Sequence, residues 1–147
     1  MRVNGEWLIC QDGTIRPTLT GLVRIPGGDV IEVPFLLDAG ADRTVLSARF
    51  LHRLQPLRIA SEDQIHLAGV GGRVGSITVG TVIGFTRDDG RTVMVRGPYA
   101  VFTEGESAEL SVLGRDVTNN FSVIYDYPNR AVALLARPHY YEIKKAS

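Results

Sequence analysis

Apolar, β-branched runs broken by glycine- and aspartate-bearing turns recur along most of this chain, and such runs hide their backbone and apolar faces by pairing edge to edge. Thr18–Ile25 and Val30–Leu37 flank Pro26-Gly-Gly-Asp29 and read as two strands around a glycine turn. Gly75–Phe85 and Arg91–Arg96 read as a long hairpin, with Asp89-Gly90 as its turn residues. Phe121–Tyr125 and Ala131–Leu135 flank Asp126-Tyr-Pro-Asn-Arg130 and predict another. Helical signal is thin. Ser47–Leu54 has a serine able to cap and apolar residues at Phe50, Leu51 and Leu54, and Gly114–Phe121 has room for a turn or two. Nothing repeats and no linker-like shift in composition interrupts the chain, so the pattern predicts one all-β domain.

Composition narrows the function. A chain of 147 residues, 44% hydrophobic and 22% charged, is long enough for a core and too apolar to be disordered. Lys plus Arg equals Asp plus Glu at 16 each, so no basic excess points to nucleic acid or to an acidic membrane surface. Cys10 is the single cysteine, which excludes an internal disulfide and suits a reducing compartment. The segment Met1–Gly13 is too polar for a signal-peptide core, and no apolar run approaches membrane-spanning length. These features predict a cytoplasmic protein with neither nucleic-acid nor membrane partners.

Most chemical motifs fail on spacing. Gly69-Val-Gly-Gly-Arg-Val-Gly75 has Val74 where a dinucleotide fingerprint needs glycine, and a strand pattern follows where a phosphate site needs a helix. It reads as a glycine-rich hairpin tip. His52, His66 and His139 have no metal-ligand spacing to one another or to Cys10, and no nucleophile-elbow serine is present, so neither metal nor cofactor is predicted. Asp38 differs: Phe35-Leu-Leu37 drives it out of an apolar strand, and Ala39-Gly-Ala41 keeps the following turn narrow enough for a ligand to approach. Aspartate also ends strands and organises turns for purely structural reasons.

Leu36-Leu-Asp-Ala-Gly-Ala-Asp-Arg-Thr-Val-Leu46, His66-Leu-Ala-Gly-Val-Gly-Gly72 and Val112-Leu-Gly-Arg-Asp-Val117 occur in that order. Together they resemble the retropepsin-like aspartic proteases, the single-domain relatives of pepsin. The first matches the family's apolar–Asp–Thr/Ser–Gly–Ala/Ser signature except at Ala39. The second matches a glycine-rich flap, and the third an apolar-apolar-Gly-Arg-Asp/Asn segment that opens a short helix. The resemblance covers roughly residues 15–135 and implies a single retropepsin-like β-barrel domain over 1–147, with one short C-terminal helix and an unmatched tail at 136–147.

The resemblance further implies an aspartic endopeptidase. In this family two carboxylates share one proton and activate a water between them. Pepsin-like chains carry two aspartate motifs, whereas here only Asp38 stands in an apolar-Asp-small-Gly context; Asp12 and Asp89 precede glycine in polar turns. The dyad then requires Asp38 from each of two chains, a C2 homodimer. By the same resemblance Gly69, Val70, Gly71 and Gly72 form a flap over an extended peptide substrate. Asp42 and Arg115, with Gly114, support the active-site loop of Ala39, Gly40 and Ala41 through a bidentate, charge-assisted bond. Ala39 lacks the hydroxyl that in the family bonds across the dimer axis. That loss gives an alternative reading, a catalytically weakened dimerisation or peptide-binding module on the same fold.

Overall fold

The structure is a computed structural model and describes residues 2–60, 67–69, 72–105 and 110–146. Among these described residues twelve strands follow in order: β1 (Arg2–Asn4), β2 (Glu6–Ile9), β3 (Ile15–Arg24), β4 (Val30–Leu37), β5 (Val45–Leu46), β6 (Leu67–Gly69), β7 (Gly72–Val74), β8 (Ser76–Thr86), β9 (Thr92–Phe102), β10 (Ser111–Leu113), β11 (Ser122–Asp126) and β12 (Ala131–Leu135). Helix α1 (Leu51–Leu54) is flanked by 3-10 turns at Ala48–Phe50 and Gln55–Leu57, and Ser47 Oγ caps the first by accepting from the Arg49 amide. Helix α2 (Arg115–Thr118) follows β10 directly. No helix among the described residues is long and apolar enough to cross a membrane.

Six strands close a barrel in the order β3-β4-β10-β5-β9-β8, with β8 returning to β3 through Leu22↔Gly84 and Val23↔Ile83. Strand β2 extends this sheet beyond β3. A separate antiparallel sheet, β1-β12-β11, leaves β11 on an edge. The barrel core follows from the period-two pattern. Along β4, Ile31, Val33, Phe35 and Leu37 are buried while Glu32, Pro34 and Leu36 face outward. Leu19 and Val23 of β3 meet them, with Gly21 between because a Cβ there would lie 2.6 Å from the Phe35 ring. Val79, Ile83, Phe85, Val101 and Leu113 complete the interior.

The three hairpins expected around Pro26–Asp29, Asp89-Gly90 and Asp126–Arg130 are present, but one is longer than the sequence pattern predicts. The sequence pattern takes the second strand of that hairpin to Arg96, yet β9 runs on to Phe102 with Pro98 opposite Gly80. The outer half of β9 alternates in exposure; its inner half, Tyr99-Ala100-Val101, is buried continuously and carries the strand through the proline. Strands β1 and β2, short and broken by polar residues, gave no periodic signal.

Candidate active site

Asp38 stands where β4 leaves the sheet, and its place is set by the strand beside it. Strand β10 pairs parallel with β4, Leu113 opposite Leu37, and antiparallel with β5, Val112 opposite Val45. It therefore lies between the two strands that the Asp38 loop joins. The Asp38 amide donates to the Leu113 carbonyl at 3.2 Å, one last rung beyond the ladder. The chain then reverses: the Ala41 amide donates to the Asp38 carbonyl at 3.1 Å, and the Gly40 amide to Asp38 Oδ1 at 2.9 Å. A Cβ on Gly40 would sit 3.2 Å from that same oxygen, so glycine suits the tight approach. The result is an exposed carboxylate with one oxygen held by its own turn.

The loop is braced from α2 at both ends. The Arg115 amide donates to the Ala41 carbonyl and the Asp116 amide to that of Asp42. The Arg115 guanidinium divides its fork: Nη1 donates to the Ala39 carbonyl at 2.7 Å, and Nη2 pairs with the Asp42 carboxylate. This corrects the bidentate expectation. The second arm serves the backbone beside Asp38, and the pair is solvated, with side-chain exposures of 45% for Arg115 and 79% for Asp42.

A deeper clamp escaped the sequence reading. Thr44, fully buried, donates through its hydroxyl to Asp116 Oδ1 at 2.6 Å, and its amide approaches both Asp116 oxygens at 3.0 Å. The same hydroxyl accepts from the Gly114 amide at 3.0 Å. Gly114 is needed for close approach rather than for a left-handed turn, because a Cβ there would lie 2.4 Å from the Arg43 carbonyl carbon. The Gly-Arg-Asp triplet was visible in sequence, but its aspartate had no assigned partner. A threonine seventy-two positions away carries no periodic or spacing signal.

Around the loop lie a groove, an edge and a tail. A groove of about 610 Å³ is lined by Leu8, Cys10, Arg16, Leu36, Phe102 and Val112, among others. Asp38 is outside this lining, but Leu36 and Val112 come from the strand pair that delivers it. At the rim Arg16 pairs with Asp12 at 2.8 Å, and this guanidinium, with the Thr14 amide, holds the Asp12 carboxyl well below the usual carboxylate range. The Tyr125 phenol on edge strand β11 titrates above its ordinary value, first through burial and second through the negative charge of Asp38. Ile124 and Tyr125 are only part-covered, at 41% and 44% exposed, on this edge, which has no partner on its outer side among the described strands. Beyond it the tail is tied by Ser122 Oγ to His139 Nε2 at 2.7 Å, then leaves Tyr140 92% and Ile143 90% exposed.

The expected flap is described only in part. Strands β6 and β7 pair with Gly69 opposite Gly72, while Val70 and Gly71 lie outside the described residues.

Neither a protein-family model nor a curated protein matches the sequence. Solved structures do match the fold. A retropepsin-like aspartic protease from Rickettsia conorii superposes with a TM-score of 0.54 at 12% identity, over 91% of this chain and 90% of that one. EIAV protease complexed with the inhibitor HBY-793 matches at TM-score 0.44 and 26% identity, over 71% and 86%. The retroviral protease-like domain of Ddi1 from Leishmania major matches at 0.45 and 18%, over 82% and 96%. The closed six-strand barrel and the Rickettsia superposition give one conclusion: this chain has a retropepsin-like fold.

Proposed function

We propose that the protein is a homodimeric aspartic endopeptidase in which Asp38 of each chain contributes one carboxylate to a shared site. One observation carries this reading. Asp38 is exposed at the end of a barrel strand, in a turn braced on two sides, while the neighbouring carboxylates are already engaged. Asp42 is paired with Arg115, and Asp116 is consumed by Thr44. A second carboxylate free to share a proton is then supplied most simply by a second copy. The exposed β11 edge and the apolar tail residues favour such a partner, since an open edge strand invites pairing.

In the dimer, two like charges at contact distance resist joint ionisation, so the pair holds one proton and titrates as a unit. The ionised member takes a proton from a water whose oxygen attacks the peptide carbonyl carbon, and the protonated member gives its proton to the carbonyl oxygen. Collapse of the tetrahedral adduct breaks the C–N bond, with a proton delivered to the leaving amine. The groove beside Leu36 and Val112 would take substrate side chains, the peptide lying extended beneath a flap at 69–72. On this reading residues 1–147 act as one domain.

Ala39 favours a second reading, a dimerisation or peptide-binding module on the same fold, because alanine offers no hydroxyl to lock two loops together. A peptide-library cleavage assay across pH, run beside Asp38→Asn, separates the two. Cleavage lost in the variant supports the enzyme; peptide binding by both proteins with no cleavage by either supports the module.

A further inference from the structure

A second groove, of about 510 Å³, is bordered by both residues of the Thr44–Asp116 clamp, and its lining also includes Arg43, Ile59, Arg96, Pro98 and Tyr99. Its volume falls within the ~300–1,000 Å³ typical of ligand clefts. Arg43 lies in the Asp38 loop and Arg96 on β9; both are exposed, and neither guanidinium has an ion-pair partner among the described residues. The carboxylate in the lining, Asp116, has both oxygens engaged by Thr44. Tyr99 donates its phenol to the Val95 carbonyl at 2.7 Å, and burial, then the Asp116 charge, pushes its pKa up to about 12. It therefore adds no negative charge near neutral pH. Among the described residues, then, the groove presents two guanidinium groups without an ion-pair partner beside the apolar side chains of Ile59 and Pro98.

We propose that this groove binds an acidic segment of polypeptide, with carboxylates on Arg43 and Arg96 and an apolar side chain against Ile59 and Pro98. Guanidinium groups match the planar geometry of carboxylates and form charge-assisted bonds with them. A free inorganic anion would use the arginines but gain nothing from the apolar wall. Because Arg43 shares a loop with Asp38, the occupant touches the braced segment of the candidate active site. Its recognition does not depend on what Asp38 does.

The test is equilibrium binding of a fluorescent peptide of alternating Glu and Leu to the Asp38→Asn protein, which prevents turnover. Binding is expected, weakening as salt rises. Replacing every Glu by Gln, or Arg96 by Gln, should each weaken it about tenfold or more. Arg43→Gln should act in the same direction, and melting curves confirm that each variant is folded. Equal affinity for the Glu and Gln peptides, or no change with Arg96→Gln, overturns the proposal. So does full displacement by millimolar phosphate combined with unchanged affinity when Leu is replaced by Ser, since that describes a bare anion site. If the peptide binds but the wild-type protein cleaves no substrate, the protease reading fails and this one stands.

Discussion

Asp38 and Ala39 show how one residue can be fixed by its neighbours while the next leaves a gap. Asp38→Asn keeps the shape of the side chain and an oxygen for the Gly40 amide, so the fold should persist while peptide cleavage is abolished. Retained cleavage in a purified variant would refute the role of Asp38. At Ala39 the carbonyl is held by Arg115, but the methyl group offers nothing to a partner loop. Ala39→Thr should therefore tighten the proposed dimer, since a net hydrogen bond contributes about 0.5–1.5 kcal/mol and two copies amount to about fivefold to a hundredfold in dissociation constant. Sedimentation of both proteins at equal pH and salt measures it; an unchanged or weaker dimer would show that the loops do not meet. Arg115→Ala should cost less than a buried ion pair would. Its solvated bond to Asp42 belongs in the range of about 0–1 kcal/mol, so chemical denaturation should find a loss of about 1 kcal/mol once the Ala39 contact is included. A loss above about 3 kcal/mol would mean that assembly buries the pair.

The elements that place Asp38 are β4, β10 and α2, and their junction is the Gly114–Thr44–Asp116 clamp. Gly114→Ala would drive a methyl group into the Arg43 backbone, where no side chain can swing away. Thermal or chemical unfolding should register about 1–3 kcal/mol or more of lost stability; a neutral result would mean that β10 sits farther from the loop than it does here. Tyr99, on β9 behind the clamp, makes stability sensitive to alkali. Its folded pKa of about 12 exceeds the ordinary 10.0, so the unfolded chain releases this proton first and stability falls as pH rises between those values. Tyr99→Phe should flatten that part of the pH–stability curve.

Strands β3, β4, β8, β11 and β12 were legible in sequence because each shows period-two burial or a strong turn signal at its end. The Asp38 loop and the Gly-Arg-Asp segment were legible as motifs. The clamp was not, because it joins residues distant in sequence through a hydroxyl and a carboxylate that any surface might carry. Nor was the solvation of the Asp42–Arg115 pair, which depends on tertiary packing around both side chains rather than on their spacing.

At the scale of the whole molecule, a closed six-strand barrel presents the Asp38 carboxylate in a braced turn, an open β11 edge and a tail that exposes Tyr140, Tyr141 and Ile143. The central claim is that two such molecules make one catalytic site. The most direct measurement mixes wild-type protein with Asp38→Asn at constant total concentration and follows cleavage after subunit exchange. A mixed dimer holds one carboxylate and one amide and cannot share a proton as the pair requires. At equal amounts, activity should fall to roughly one quarter of the wild-type value, following the square of the wild-type fraction. Activity of about one half, linear in that fraction, would mean that each chain carries a complete site and would contradict the account.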